Sequence, residues 1–171
     1  KHQSFDTFGN ITAFDVSPDK KKLAFISRGE LFVSDMEGKF VRQIETSDMG
    51  RVLEVKWLSD NKRLIFNQTV DGYQNWFTAA ADGSGTPQQL TDEQQNNRML
   101  AFNSDRSQAL YLSGRNELML MDMKSLESEV IVEDEFWGFY NEQPRFAPDD
   151  EHILYTAKRD FEDDIFSYKL E

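Results

Sequence analysis

Apolar residues in this chain recur in short alternating runs, bounded by Ser, Pro, Asp, Asn and Gly, with no long helical stripe. The first such set predicts strands over 11–16, 23–27, 30–34 and 41–44, with turns at 17–20, 28–29 and 35–38. The set then recurs as 52–57, 63–66, 75–78 and 88–91, and again as 99–102, 109–112, 117–121 and 129–132. A fourth set gives 144–147, 152–156 and 164–168, and no fourth strand follows. Each period reads as a four-stranded antiparallel meander joined by tight turns.

One phrase punctuates the periods: Phe14-Asp-Val-Ser-Pro-Asp19, Trp57-Leu-Ser-Asp60, Phe102-Asn-Ser-Asp105 and Phe146-Ala-Pro-Asp149. Its aspartates stand 41, 45 and 44 residues apart. A period in the low forties with one turn and one hydrophobic cluster marks a supersecondary unit stacked on its own copies. An isolated meander cannot bury both faces, whereas radial stacking buries each sheet between two neighbours. The expected fold is therefore all-β, a β-propeller fragment of about four blades with the last incomplete. The boundaries are 11–51, 52–96, 97–142 and 143–171, with 1–10 supplying the outer strand of a preceding or closing blade. Residues 4–8 alternate as a strand and could fill the vacant outer position of blade four. A chain that starts at Lys1 and stops three quarters of the way through a blade reads as a piece of a longer protein.

Composition narrows the function classes. The 13% aromatic share suits small stacked sheets. A net charge of −12 disfavours nucleic acid and anionic membrane surfaces as partners. No run approaches the roughly 20 apolar residues of a membrane span, and no signal peptide is visible. The chain has no cysteine, which removes disulfides, thiolate metal sites and cysteine nucleophiles together. No Gly-x-Ser-x-Gly elbow is present. His152 beside Asp149-Asp-Glu151 lacks visible converging partners and reads as a strand histidine. The repeated aspartates read as turn caps, and Met119, Met121 and Met123 as core filling. No catalytic residue, cofactor or metal ligand is assigned.

The blade-one phrase continues as Ser17-Pro-Asp-Lys-Lys-Lys-Leu-Ala-Phe25, and blade four carries Asp164-Ile-Phe166. These residues resemble the propeller repeat of the tricorn and Tol-system type: apolar-x-Phe-Ser-Pro-Asp-Gly-Lys, a Leu-Ala-Phe strand, then Asp-Ile-Phe-Val-x-Asp and a glycine turn. Nearly the whole chain is covered. The departures lie at turns: Lys20 replaces Gly, Ser59 and Ser104 replace Pro, and Ala80 stands where Asp35 and Asp122 occur. More narrowly, residues 5–19 with 24–32 look like the propeller region of tricorn-type serine peptidases. That resemblance implies a non-catalytic domain that guides or binds peptide substrates, or mediates assembly, beside a PDZ-like module and a peptidase core that this chain does not contain. The alternative is a protein-docking scaffold of the Tol-system type with no peptidase attached. Implied partners are peptides or unfolded segments, other domains of the parent, and further copies in a homo-oligomer. An exported bacterial location, the periplasm, follows from the same resemblance, with the cytoplasm as the alternative.

The loops opposite the Ser-Pro-Asp turns form the candidate working surface. They carry Arg28, the long 70–75 loop with Tyr73 and Trp76, Arg115, the aromatic insertion 135–141 with Trp137 and Tyr140, and Arg159 in 158–161. Aromatics beside arginines favour peptide contact, since both give large area for few lost rotamers. The insertion aromatics could equally plug the gap between blades three and four. Arg28, Arg115 and Arg159 recur at nearly equivalent positions, where in a ring they would line the channel mouth and meet a peptide carboxylate. Their alternative is to neutralise nearby acids.

Overall fold

The computed structural model describes residues 9–46, 50–136 and 142–171. The 4–8 strand, Trp137 and Tyr140 lie outside the described residues. The described chain is all-β, in four antiparallel sheets. Blade one holds β1 (Ile11–Val16), β2 (Lys22–Ser27), β3 (Glu30–Asp35) and β4 (Val41–Ile44). Blade two holds β5 (Val52–Trp57), β6 (Arg63–Val70), β7 (Tyr73–Ala80) and β8 (Gln88–Gln89). Blade three holds β9 (Asn97–Phe102), β10 (Gln108–Ser113), β11 (Glu117–Asp122) and β12 (Ser128–Glu133). Blade four has three strands: β13 (Arg145–Phe146), β14 (His152–Arg159) and β15 (Glu162–Lys169). Within each sheet the strands lie in chain order, the meander that the alternating pattern predicts. The fold is a partial β-propeller.

The chain divides into two compact units, one of Lys1–Gly72 with Trp76–Thr91, the other of Tyr73–Asn75 with Asp92–Glu171. In the first, Ala24, Ile26, Leu31, Val33 and Ile44 of blade one bury themselves against Val52, Val55, Trp57, Leu64 and Phe66 of blade two. Each such aliphatic side chain contributes about 1.5–3 kcal/mol by leaving water. In the second, Leu110, Leu112, Leu118 and Leu120 of blade three pack with Phe136 and with Ile153 and Ala157 of blade four. Met119, Met121 and Met123 are buried, as their alternation implies.

The other face of blade one carries Phe14, Phe25 and Phe32, which sit opposite one another across three strands. Phe25 and Phe32 stack at 5.3 Å, while Phe14 stays 64% exposed. On blade four, Leu154 and Ile165 are likewise exposed. The first strands of blades one, two and three each carry an extra residue against their partner, a bulge that bends the strand locally.

Two loops are shorter than the sequence pattern implies. Strands β6 and β7 extend to Val70 and from Tyr73, which leaves a two-residue turn at Asp71-Gly72 in place of a long 70–75 loop. Likewise Lys158 and Arg159 belong to β14, so Asp160-Phe161 alone makes the turn. The reason in blade two is that buried polar residues continue the strands. Asn67 Oδ1 accepts from Glu54 N at 2.7 Å and its Nδ2 donates to Glu54 Oε2 at 3.0 Å, while Asn75 Oδ1 accepts from Glu93 N at 3.2 Å.

Candidate functional site

The Ser-Pro-Asp turns are occupied by their own backbone. Asp19 accepts from Ser17 Oγ at 2.7 Å and from Lys21 N at 3.1 Å. Asp60 accepts from the amides of Lys62 and Arg63, Asp105 from Ser107 N, and Asp149 from the amides of Glu151 and His152. His152 Nδ1 lies 2.7 Å from Asp149 Oδ2, so the ring is tied to the turn. The Glu151 amide, then the His152 ring and amide, hold the Asp149 carboxyl down at about 2. The Ser17 hydroxyl holds Asp19 low in the same way. Among the described residues, no group of three His, Cys, Asp or Glu side chains is placed to hold a metal ion.

In all four turns the residue after the aspartate is left-handed: Lys20 (φ 60°), Asn61 (57°), Arg106 (59°) and Asp150 (54°). Two of these reach back to the preceding blade. Asn61 Oδ1 accepts from Asp19 N at 2.8 Å, and Asp150 Oδ1 accepts from Ser104 N at 3.1 Å, with the Ser104 hydroxyl bonded to the same carboxylate. These turns are staples between blades.

The opposite end, with the hairpin loops, differs in kind. In the second unit, residues 134–136 run between two hairpins as an irregular bridging segment. Asp134 N donates to Asn116 O at 2.8 Å, Phe136 N to Arg115 O at 2.8 Å, and Lys158 N to Glu135 O at 2.9 Å. The Phe136 side chain is buried and meets Tyr155 edge-on at 5.6 Å, and Tyr155 stacks on Phe166 at 5.5 Å. The Arg159 guanidinium lies 4.8 Å from the Phe166 ring centroid and grips the Asp134 carboxylate with both terminal nitrogens. That grip holds the Asp134 carboxyl below the usual range and raises Arg159 further. Burial pushes the Tyr155 hydroxyl up, and the Asp134 charge adds to it.

The candidate residues therefore separate. Arg28 is exposed at the β2–β3 turn, and Arg115 is exposed at the β10–β11 turn. Tyr73 is half-buried at the start of β7. Trp76, expected on the surface, is 1% exposed, because β7 carries it into the sheet and not into a loop. Arg159 serves the alternative role, neutralising an acid. Nothing in the pattern marks Asp134 as its partner, since it is one of three acids in Glu133-Asp-Glu135. Phe161, at the β14–β15 tip, is 95% exposed and is the most prominent apolar side chain at this end among the described residues.

No family model matches the chain. Over 158 residues it is 26% identical to the Tol-Pal system protein TolB of Wolinella succinogenes, a match covering 86% of this chain and 36% of that protein. The crystal structure of the tricorn protease superposes with a TM-score of 0.73 at 15% identity, over 94% of this chain and 16% of that one. The putative TolB of Agrobacterium tumefaciens superposes with a TM-score of 0.66 at 17% identity, over 93% of this chain and 58% of that one. The chain thus spans about a third of the length of the curated relative it matches. The propeller is similar to those of TolB and the tricorn protease, and the structural likenesses establish the fold.

Proposed function

We propose that this chain is a non-catalytic protein-docking propeller domain that binds extended peptide or protein segments at the hairpin end of its blades. The observation that carries this reading is the 134–136 bridge. It locks the β10–β11 and β14–β15 hairpins together, so that Arg115 and the exposed tip around Phe161 are presented on a rigid frame. Preorganised arginine and aromatic contacts lose little entropy on binding. The match to a Tol-Pal system protein favours a protein partner, and an exported location fits the same likeness.

A second reading is favoured by the superposition on the tricorn protease: an accessory domain guiding peptides to a serine peptidase core elsewhere in the parent protein. The two part on one observation, whether the parent reading frame continues into a PDZ-like module and a peptidase core.

Docking itself is tested by fluorescence anisotropy with a labelled acidic peptide bearing a free carboxylate. Arg115→Glu should weaken binding about tenfold, the scale of one lost charge-assisted contact. No binding by the wild-type chain, or binding that ignores the reversal, would overturn the reading.

A further inference from the structure

The tip of blade four breaks a rule that blades one and two keep. In the β2–β3 turn, Arg28 and Gly29 take φ of 54° and 85°, and in the β6–β7 turn Asp71 and Gly72 take 49° and 86°. The β14–β15 turn has the same shape, with Asp160 at 46° and its second residue at 73°, yet that residue is Phe161. A left-handed backbone suits glycine and strains a bulky side chain. Here the strain serves no core, because the ring is 95% exposed, with Lys158 Nζ over it at 6.0 Å. A bulky aromatic held out at the cost of backbone strain points to a contact outside the molecule. Asp160, Glu162, Asp163 and Asp164 surround it, all exposed, so the knob wears an acidic collar.

The complementary surface is on the same chain, at the Ser-Pro-Asp end of blade one. Lys20, Lys21, Lys22 and Lys62 are exposed there, and the Asp19–Asn61 bond holds the two turns that bear them together. Lys22 faces Asp35 across β2 and β3, which sets the β3–β4 turn alongside. That turn exposes Met36 by 50% and Phe40 by 79%. In a chain of net charge −12, this end gathers four exposed lysines beside apolar side chains, with the Asp19 and Asp60 carboxylates turned onto their own turn amides and Glu37 paired with Lys39.

We propose that Phe161 and its acidic collar dock on this basic, apolar turn end of a second copy of the chain. The contact joins different patches of two copies, so each copy offers both a knob and a patch, and reciprocal pairs, rings or open chains can be built from it. It extends the docking reading to self-association, and its test uses the protein alone, so either proposal can fail without the other.

Sedimentation velocity, at concentrations up to about 1 mM to include weak contacts, should show the wild-type chain associating. Phe161→Gly should sediment as a monomer while melting about 2–4 °C higher, since relieving the strain stabilises the turn. Lys20→Glu/Lys21→Glu/Lys62→Glu should also be monomeric. Mixed together, the two variants should form a one-to-one dimer and nothing larger, because one retains the patch and the other the knob. A monomeric wild type, an associating Phe161→Gly, or a mixture that stays monomeric would each overturn the proposal.

Discussion

Asp15 holds Trp57 by two hydrogen bonds: its carboxylate accepts from the Trp57 amide at 2.8 Å, and its carbonyl from the indole Nε1 at 3.1 Å. The two residues belong to the first strands of neighbouring blades, and Trp57 is fully buried. Truncation to Asp15→Ala leaves a buried amide without its acceptor and should cost about 2 kcal/mol, whereas Asp15→Asn keeps an acceptor and should cost less than half of that. Urea denaturation of the three proteins decides it; equal losses would mean that the charge matters and the bond does not.

Acid should loosen the turns first. Asp149 falls from its ordinary 3.8 to about 2 in the folded chain, and Asp19, Asp60, Asp82, Asp105 and Asp122 are all lowered as well. A carboxyl held low in the folded state contributes its full stability above its unfolded value, and loses it as the pH falls through the folded one. The melting temperature should therefore be flat above pH 5 and fall between about pH 4 and pH 2. Asp149→Asn should lower the neutral-pH value and make that decline shallower.

Left-handed turn residues give a test with opposite signs. Lys20→Gly and Arg106→Gly remove a side chain from a backbone that disfavours it, and should each stabilise by about 0.5–1 kcal/mol. Asn61→Gly meets the same backbone but loses the acceptor for Asp19 N, and asparagine tolerates this region already. It should bring no gain, and a thermal melt of each single variant checks the contrast.

The arginines of the hairpin end should divide by role. Arg115→Glu should change peptide binding with the melting temperature within about 1 °C of the wild type, the usual effect of a surface substitution. Arg159→Glu should lower the melting temperature, because it replaces the partner of Asp134 with a like charge. In an Asp134→Ala background, Arg159→Ala should have little further effect, as expected of residues acting through one pair. Melts of the single and double variants separate the two arginines.

The meander and its turns were legible because alternation and Ser-Pro-Asp spacing act locally, through side-chain facing and backbone capping. Hairpin lengths were not. Asn67, Gln68 and Asn75 look like loop residues by type, yet all three are buried; partners far along the chain, such as Glu54 and Glu93, satisfy the two asparagines. The same blindness put Trp76 on a surface it does not reach. Arg28 and Arg115 are legible as exposed turn residues because Gly29 and Gly114 flag those turns. The Arg159–Asp134 pair was hidden because a salt bridge across 25 residues leaves no periodic trace.

The residue that follows each turn aspartate also sets the grain of the array. Asparagine at 61 and aspartate at 150 can accept a hydrogen from the blade before; arginine at 106 offers only donors and cannot. That one side chain ties the first blade to the second within one compact unit, and the third to the fourth within the other. Anyone grafting this propeller should keep each stapled pair of blades whole.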